Sequence, residues 1–482
     1  MEAGEQRPRV AATLRALNEA LGRPAAALWV KESGARQLRH RDFLAPRAAL
    51  RAAFGAGQVP ADVMARVAAV SGPAVVPLGG CQETAAGLSL RARRAEAFAR
   101  LLARVRLVPA TGDEQSRELL RRLRVAWPHG RPELGDAVAA LARALARSPY
   151  STTGECGPGA AALPPGALAR LDLKSFVQQQ HLEGYDPNLG VLLVTEEKLR
   201  CLAELQEAVL QCADSCCHVV HVVSCDEEFQ QQQMDLLWRI LDPGAHTALQ
   251  KLLVCGPVKV TKPLSPVGAE EYLQLRKRQM HEASVMKYGE RAQDEAWTEV
   301  IDVLTAAAIR FEMLSTAHRS QIVLDLEDSS ISTKGTKSGA FVMYNCARLA
   351  TLFDTYQRAV ERGTYPSLPP PSELNFSCLR EEGEWLLLFN YLLPFPEVLQ
   401  QAAELPLPSK GIRITASTEA VCKFLIQLSM DFSSYYNRVH ILGEPFPHLF
   451  EQMFARLQLL AAVRDTFHSA LATLHLPPLT QI

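Results

Sequence analysis

The chain of 482 residues has no apolar run approaching the roughly 20 side chains that cross a bilayer. Its opening residues, MEAGEQRPRV, lack the apolar core of a secretory signal. A soluble, cytosolic protein is expected. The 11 cysteines are odd in number, scattered, and include no Cys-x-x-Cys pair, which suits a reducing compartment better than a disulfide framework. A glycine-rich phosphate loop, a paired-histidine zinc motif and an internal repeat are also missing. The densest cluster of metal-ligating types is Cys212, Cys216, Cys217, His218, His221 and Cys225, around a β-branched run. Side chains alternate faces along a strand, so His218 and His221 point apart. Small buried thiols are the simpler reading and a zinc site the alternative. No metal or cofactor is expected.

Net charge is only −1, but it is unevenly distributed. Residues 1–150 hold 24 Lys and Arg against 13 Asp and Glu, a balance of +11, while the remainder holds 27 against 39, a balance of −12. The Arg-rich third suits a phosphate backbone. Arg91, Arg93, Arg94, Arg100, Arg104 and Arg106 recur through an Ala/Leu-rich stretch that predicts a helix, and Arg117, Arg121, Arg122 and Arg124 follow. A solvated helix face is the alternative to RNA contact. Gly, Pro, Ser and Thr then dominate Ser148–Pro165, which reads as a linker.

Beyond the linker, Val191–Thr195 and His218–Ser224 are short β-branched runs that alternate with helical stretches, Glu196–Cys212 and Glu227–Leu241. That alternation predicts an α/β layer. The final third is helical in pattern. In Gly339–Tyr356, Phe341, Met343, Tyr344, Ala347, Leu349 and Leu352 recur at three- and four-residue steps, so they predict one buried stripe with Asn345, Arg348 and Thr355 off it. Leu387–Val398, Leu425–Tyr436 and Arg456–Leu476 repeat the pattern, and the Pro-rich breaks Tyr365–Glu373 and Leu405–Gly411 separate them. Together they predict a helical bundle.

Several of these segments resemble the anticodon-binding domain of arginyl-tRNA synthetases. Phe341, Val342, Tyr344, Ala347 and Arg348 match the family's opening pattern F-V-Q-Y-A-H-A-R. Ala307, Ala308, Ile309 and Arg310 stand where the family writes Asp-Ala-Leu-Arg, with Asp lost and Ala and Arg kept. Leu387–Pro396 with Glu397 and Val398 is similar to a leucine-rich helix ending Phe-Pro-Glu-Val, and Leu425–Tyr436 with Arg438 and Val439 to a later family helix. Ser71–Gly72–Pro73–Ala74 is similar to a turn of the family's N-terminal domain, which holds the tRNA corner.

The resemblance implies an α plus α/β multidomain fold. Its parts are a basic N-terminal domain (1–147), a linker (148–165), a degenerate class I synthetase-like α/β region (166–299) and an all-α DALR anticodon-binding helical bundle (300–482). It also implies tRNA contacts at Tyr344, Asn345, Arg348, Tyr436, Arg438, His440 and Ile482. Tyr436 stands at an anticodon-reading tyrosine, His440 replaces an aromatic one helical turn on, and Ile482 replaces a C-terminal methionine. For Tyr344, a core tyrosine is the alternative. Unpaired bases are read by stacking and edge hydrogen bonds, and phosphates by Arg and Lys.

Two synthetase motifs are missing. His129-Gly130 has no second histidine to complete His-x-Gly-His, and Val258–Gly268 has Lys259 and Lys262 but two prolines and no Ser-Lys pair. Aminoacylation is therefore not expected. The implied protein is a non-catalytic adaptor for arginine tRNA that presents it to a tRNA-modifying enzyme such as an anticodon-loop methyltransferase, with neither membrane nor DNA as partner. A residual synthetase-like enzyme, or a scaffold with a repurposed anticodon domain, are the alternatives.

Overall fold

The computed structural model describes residues 7–22, 28–34, 42–55, 59–103, 135–153, 162–210, 219–261, 267–289, 295–327, 338–404 and 411–481. These residues pack around two hydrophobic cores. The N-terminal part of the first contains α1 (Val10–Ala20), β1 (Val30–Lys31), β2 (Phe43–Pro46), α2 (Arg47–Phe54), α3 (Ala61–Ala68), β3 (Leu78–Thr84), β4 (Gly87–Ala92) and α4 (Arg94–Leu102). The four strands form an antiparallel sheet in the order β1-β2-β4-β3. Leu88 and Leu90 on β4, and Phe98 and Leu102 on α4, are fully buried.

The arginine-rich run does not form one helix. Arg91 lies on β4, because that strand is paired on both sides, and the helix starts only at Arg94. Its arginines also turn to protein partners. Arg93 and Arg100 both pair with Glu96, at 3.0 and 2.5 Å, and Arg94 reaches Asp42 at 3.4 Å and Glu382 at 3.3 Å. Arg104, Arg106, Arg117, Arg121, Arg122, Arg124 and the His129-Gly130 pair lie outside the described residues.

The second core belongs to the middle of the chain. Its elements are α5 (Gly135–Arg147), β5 (Ser151–Thr152), β6 (Ala167–Asp172), α6 (Leu173–Gln179), β7 (Val191–Thr195), α7 (Glu196–Leu210), β8 (Val219–Ser224), α8 (Glu228–Leu241) and β9 (Gln250–Cys255). Two more strands follow, β10 (Val258–Val260) and, later in the chain, β11 (Ile322–Leu324). The strands form an antiparallel β5-β6-β7 sheet and two parallel pairs, β8-β9 and β10-β11. The helix α5, expected with the N-terminal domain, buries Leu141 and Leu145 in this second core. Thr152, inside the expected linker, pairs with Arg170. Of the cysteine–histidine cluster, Cys212, Cys216, Cys217 and His218 lie outside the described residues, while His221 Nε2 sits 2.9 Å from Gln250 Oε1.

The C-terminal bundle contains α9 (Ala269–Tyr288), α10 (Glu295–Leu314), α11 (Gly339–Glu361), α12 (Glu382–Leu387), α13 (Phe395–Ala403), α14 (Ala420–Arg438) and α15 (Pro447–Thr473). A Cβ on Gly339 would lie 2.2 Å from the Ala307 carbonyl oxygen, so glycine there and alanine opposite let α10 and α11 touch backbone to backbone. Arg310 Nη1 donates to the carbonyls of Leu474 and His475, the latter at 2.6 Å. These carbonyls lie just past the end of α15, where acceptors lack helical partners and a cation is favoured. Ala307 and Arg310 are thus fold-holding residues. Among the described residues, no helix is long and apolar enough to cross a membrane.

The N-terminal domain and this bundle share a single core. At their seam the Asp42 carboxylate, 1% exposed, accepts from the Ala92 N–H at 2.7 Å, Trp385 Nε1 at 2.8 Å and Arg94. Burial pushes its pKa up, and these donors oppose the rise. Phe98 meets Trp385 edge-on at 5.8 Å, Trp385 stacks on Phe389 at 5.2 Å, and Gln458 Nε2 reaches the Leu102 carbonyl at 2.9 Å.

Removing one member of a buried charged cluster strands the others, so Asp42→Ala should cost about 3–5 kcal/mol in urea unfolding. A second variant gives a pH signature. Asp172 caps α6, accepting from the Ser175 hydroxyl at 2.7 Å and the Ser175 N–H at 3.0 Å, and these bonds hold its pKa below the ordinary carboxylate range. Stability from a depressed carboxyl is present above the unfolded value and lost as pH falls through the folded one. Asp172→Ala should therefore cost about 1 kcal/mol at neutral pH, with the deficit shrinking in acid in parallel urea melts.

Candidate nucleic-acid interface

One surface of the bundle alternates cations and aromatic rings across three helices. Lys287, at the end of α9, places Nζ 4.2 Å from the Tyr344 ring centroid on α11. One turn along α11, Arg348 lies with Cζ 5.8 Å from the Tyr436 ring on α14. Ser433 Oγ accepts from Arg348 Nη1 at 2.9 Å and fixes the guanidinium beside that ring. Tyr436 leans on Phe432 at 5.6 Å. Lys287 is exposed, and Tyr344, Arg348 and Tyr436 are half-buried. Rings held this way offer faces for bases and cations for phosphates.

The helical pattern makes α11 one-sided, but the structure packs it against both α10 and α14, burying nearly every position in its first two turns. Asn345, expected off the buried stripe and in contact with RNA, is 0% exposed. Its Nδ2 donates to the Phe341 carbonyl at 2.9 Å and reaches the Ser429 carbonyl at 3.5 Å, tying α11 to α14. It also stands behind Arg348, whose Nη1 lies 3.5 Å from Asn345 Oδ1.

His440 also departs from expectation. The helix α14 ends at Arg438 and Val439 is extended, so His440 follows the helix and does not continue the Tyr436 face. It is exposed, and its carbonyl accepts from Arg456 Nη1 at 3.2 Å. Arg438 is exposed, with Nε on the Ser434 carbonyl at 3.1 Å. Ile482 lies outside the described residues.

The two neighbouring tyrosines of α14 divide two roles. Tyr435 is 1% exposed, and its hydroxyl bonds Glu384 Oε1 at 3.2 Å, the same oxygen that Arg456 Nε reaches at 2.8 Å. Tyr435 is the core tyrosine; Tyr436 faces outward. Tyr344 combines both characters, since it is half-buried, burial pushes its phenol pKa up, and its ring face meets the exposed Lys287. Sequence reasoning missed Lys287 and Tyr288, which lie on a helix ahead of the residues carrying the resemblance.

Comparisons with known proteins match this architecture. The family model for the DALR, N-terminal domain covers residues 8–108, and that for the DALR anticodon binding domain covers residues 342–482. The chain is 46% identical to the DALR anticodon-binding domain-containing protein 3 of Mus musculus, over 98% of this chain and 99% of that one. The chain belongs to this family. Its member from Danio rerio is 41% identical, over 94% of both chains. The Thermus thermophilus arginyl-tRNA synthetase superposes with a TM-score of 0.56 at 14% identity, over 98% of this chain and 100% of that one. The chain thus shares the fold of that synthetase, with an α plus α/β composition and a C-terminal DALR bundle.

The division between the tyrosines is measurable. Tyr435→Ala should lose about 3–5 kcal/mol of stability by opening a cavity in the core. Tyr436→Ala should lose less than half as much in the same urea titration.

Proposed function

We propose that this chain is a non-catalytic tRNA-binding protein that selects arginine tRNAs through the anticodon arm and presents them to a tRNA-modifying enzyme, such as an anticodon-loop methyltransferase. The observation that carries the reading is the pairing of Arg348 with the outward ring of Tyr436 on a DALR anticodon-binding bundle. A guanidinium beside a half-exposed ring suits a phosphate next to an unpaired base. Arg438 and His440, both exposed, flank the end of the same helix. Tyr344 and Ile482 complete the proposed contact set, and Asn345 supports it from behind through Arg348.

The adaptor reading rests on the missing synthetase signatures. Without a reaction centre, the binding energy of an anticodon domain is useful when it supplies selectivity to a second enzyme. Membrane and DNA play no part in this scheme, and no cofactor is required.

Binding of the purified full chain to a panel of tRNAs tests the proposal. Arginine tRNAs should bind tightest, and Tyr436→Ala should lose roughly 1–3 kcal/mol per stacked base and narrow the preference. Cells carrying Tyr436→Ala should show reduced anticodon-loop modification of arginine tRNAs with unchanged charging. Loss of charging, or ATP–pyrophosphate exchange by the purified chain, would instead establish a surviving synthetase. Equal binding to all tRNAs would sink the selectivity claim.

A further inference from the structure

The last turn of α9 precedes residues 342–482 of the anticodon-binding domain, yet it delivers two side chains to the same surface. Lys287 Nζ lies 4.2 Å from the Tyr344 centroid and 4.9 Å from that of Tyr288. The Tyr288 ring rests against Trp297, 4.7 Å between centroids and 41° between planes. One exposed ammonium thus bridges rings on α9 and α11, and the α9 ring leans on a third aromatic from α10.

Such an ammonium is loosely held, because a cation–ring contact at an exposed site is weak beside a charge-assisted bond to a phosphate oxygen. A lysine is also a compact charge on a flexible stem, able to swing to a new partner without disturbing its backbone. When it leaves, the Tyr344 face it covered becomes available. Tyr344 is one turn from Arg348, so a base on that face would continue the row begun at Tyr436.

We propose that Lys287 and Tyr288 form an RNA subsite for one phosphodiester and its adjacent unpaired base, extending the tRNA-binding surface beyond the anticodon-binding domain onto α9. Lys287 takes the phosphate, and Tyr344 serves as the stacking platform with the Tyr288 ring, backed by Trp297, beside the same ammonium. The proposal rests on the tRNA-binding reading above.

The test uses the full chain and an arginine tRNA transcript, with affinity measured by fluorescence anisotropy from about 50 to about 200 mM salt. Removing one phosphate contact lowers the slope of log affinity against log salt by about 0.7–0.9. Lys287→Gln should show that drop together with a several-fold loss of affinity at low salt, and Lys287→Arg should restore both. Because Lys287 is exposed, a merely structural role would change the melting temperature and leave the salt slope alone. A wild-type slope in Lys287→Gln, with wild-type binding intact, would overturn the subsite and leave the tRNA reading standing. Failure of the wild-type chain to bind any tRNA would overturn both. Tyr288→Ala supplies an independent arm: it should weaken binding with the salt slope unchanged, and wild-type affinity in that variant would remove Tyr288 from the subsite.

Discussion

Asp42 carries a carboxylate into the seam between the N-terminal domain and the helical bundle, where water cannot solvate it. The Ala92 N–H, Trp385 Nε1 and Arg94 replace that water, and they come from β4, α12 and α4. A buried charge is tolerated only where such donors are already in position, so the contact fixes how these elements meet. Around it, Phe98, Trp385 and Phe389 pack ring to ring, and the two domains become one core. The N-terminal domain is thus joined to the bundle at a defined place on it.

The same economy of buried polar groups shapes the candidate RNA surface. Asn345 is too polar to be left alone in a core, so it binds backbone carbonyls of α11 and α14 and fixes their spacing. That spacing sets Arg348 beside Tyr436. Gly339 and Ala307 do the equivalent on the other side of α11 by removing side-chain bulk, which brings α10 to backbone contact. A helix clamped on two sides leaves few positions free to meet a ligand, and Tyr344 and Arg348 are among them.

The middle region shows what a synthetase-like layer becomes when its sheet is divided. Its strands form small separate sheets, with α7 packed on β7 and α8 on β8. β10 contains Lys259, the described one of the two lysines of Val258–Gly268, and its backbone is paired with β11. Backbone committed to a strand ladder is not free to wrap around a phosphate.

Local pattern was enough to determine several of the helices and strands of the middle region and the bundle, but not the N-terminal sheet, where Arg91 reads as helical and lies on β4. β7 was legible to the residue, and β8, α7 and α8 nearly so, because β-branched runs and helical spacing are encoded within a few residues. Motif spacing and the family resemblance likewise located α11 and α14 with Arg348 and Tyr436 on them, while the pairing of those two side chains came from the fold. What sequence could not carry was which side of an element meets which neighbour. Asn345 reads as exposed until a second helix covers it, His440 reads as helical until α14 stops, and the arginines of α4 read as a free face until Glu96, Asp42 and Glu382 claim them. Lys287 and Tyr288 were invisible for the same reason. Their significance lies in residues more than fifty positions away, and only the tertiary fold brings those side chains within contact distance.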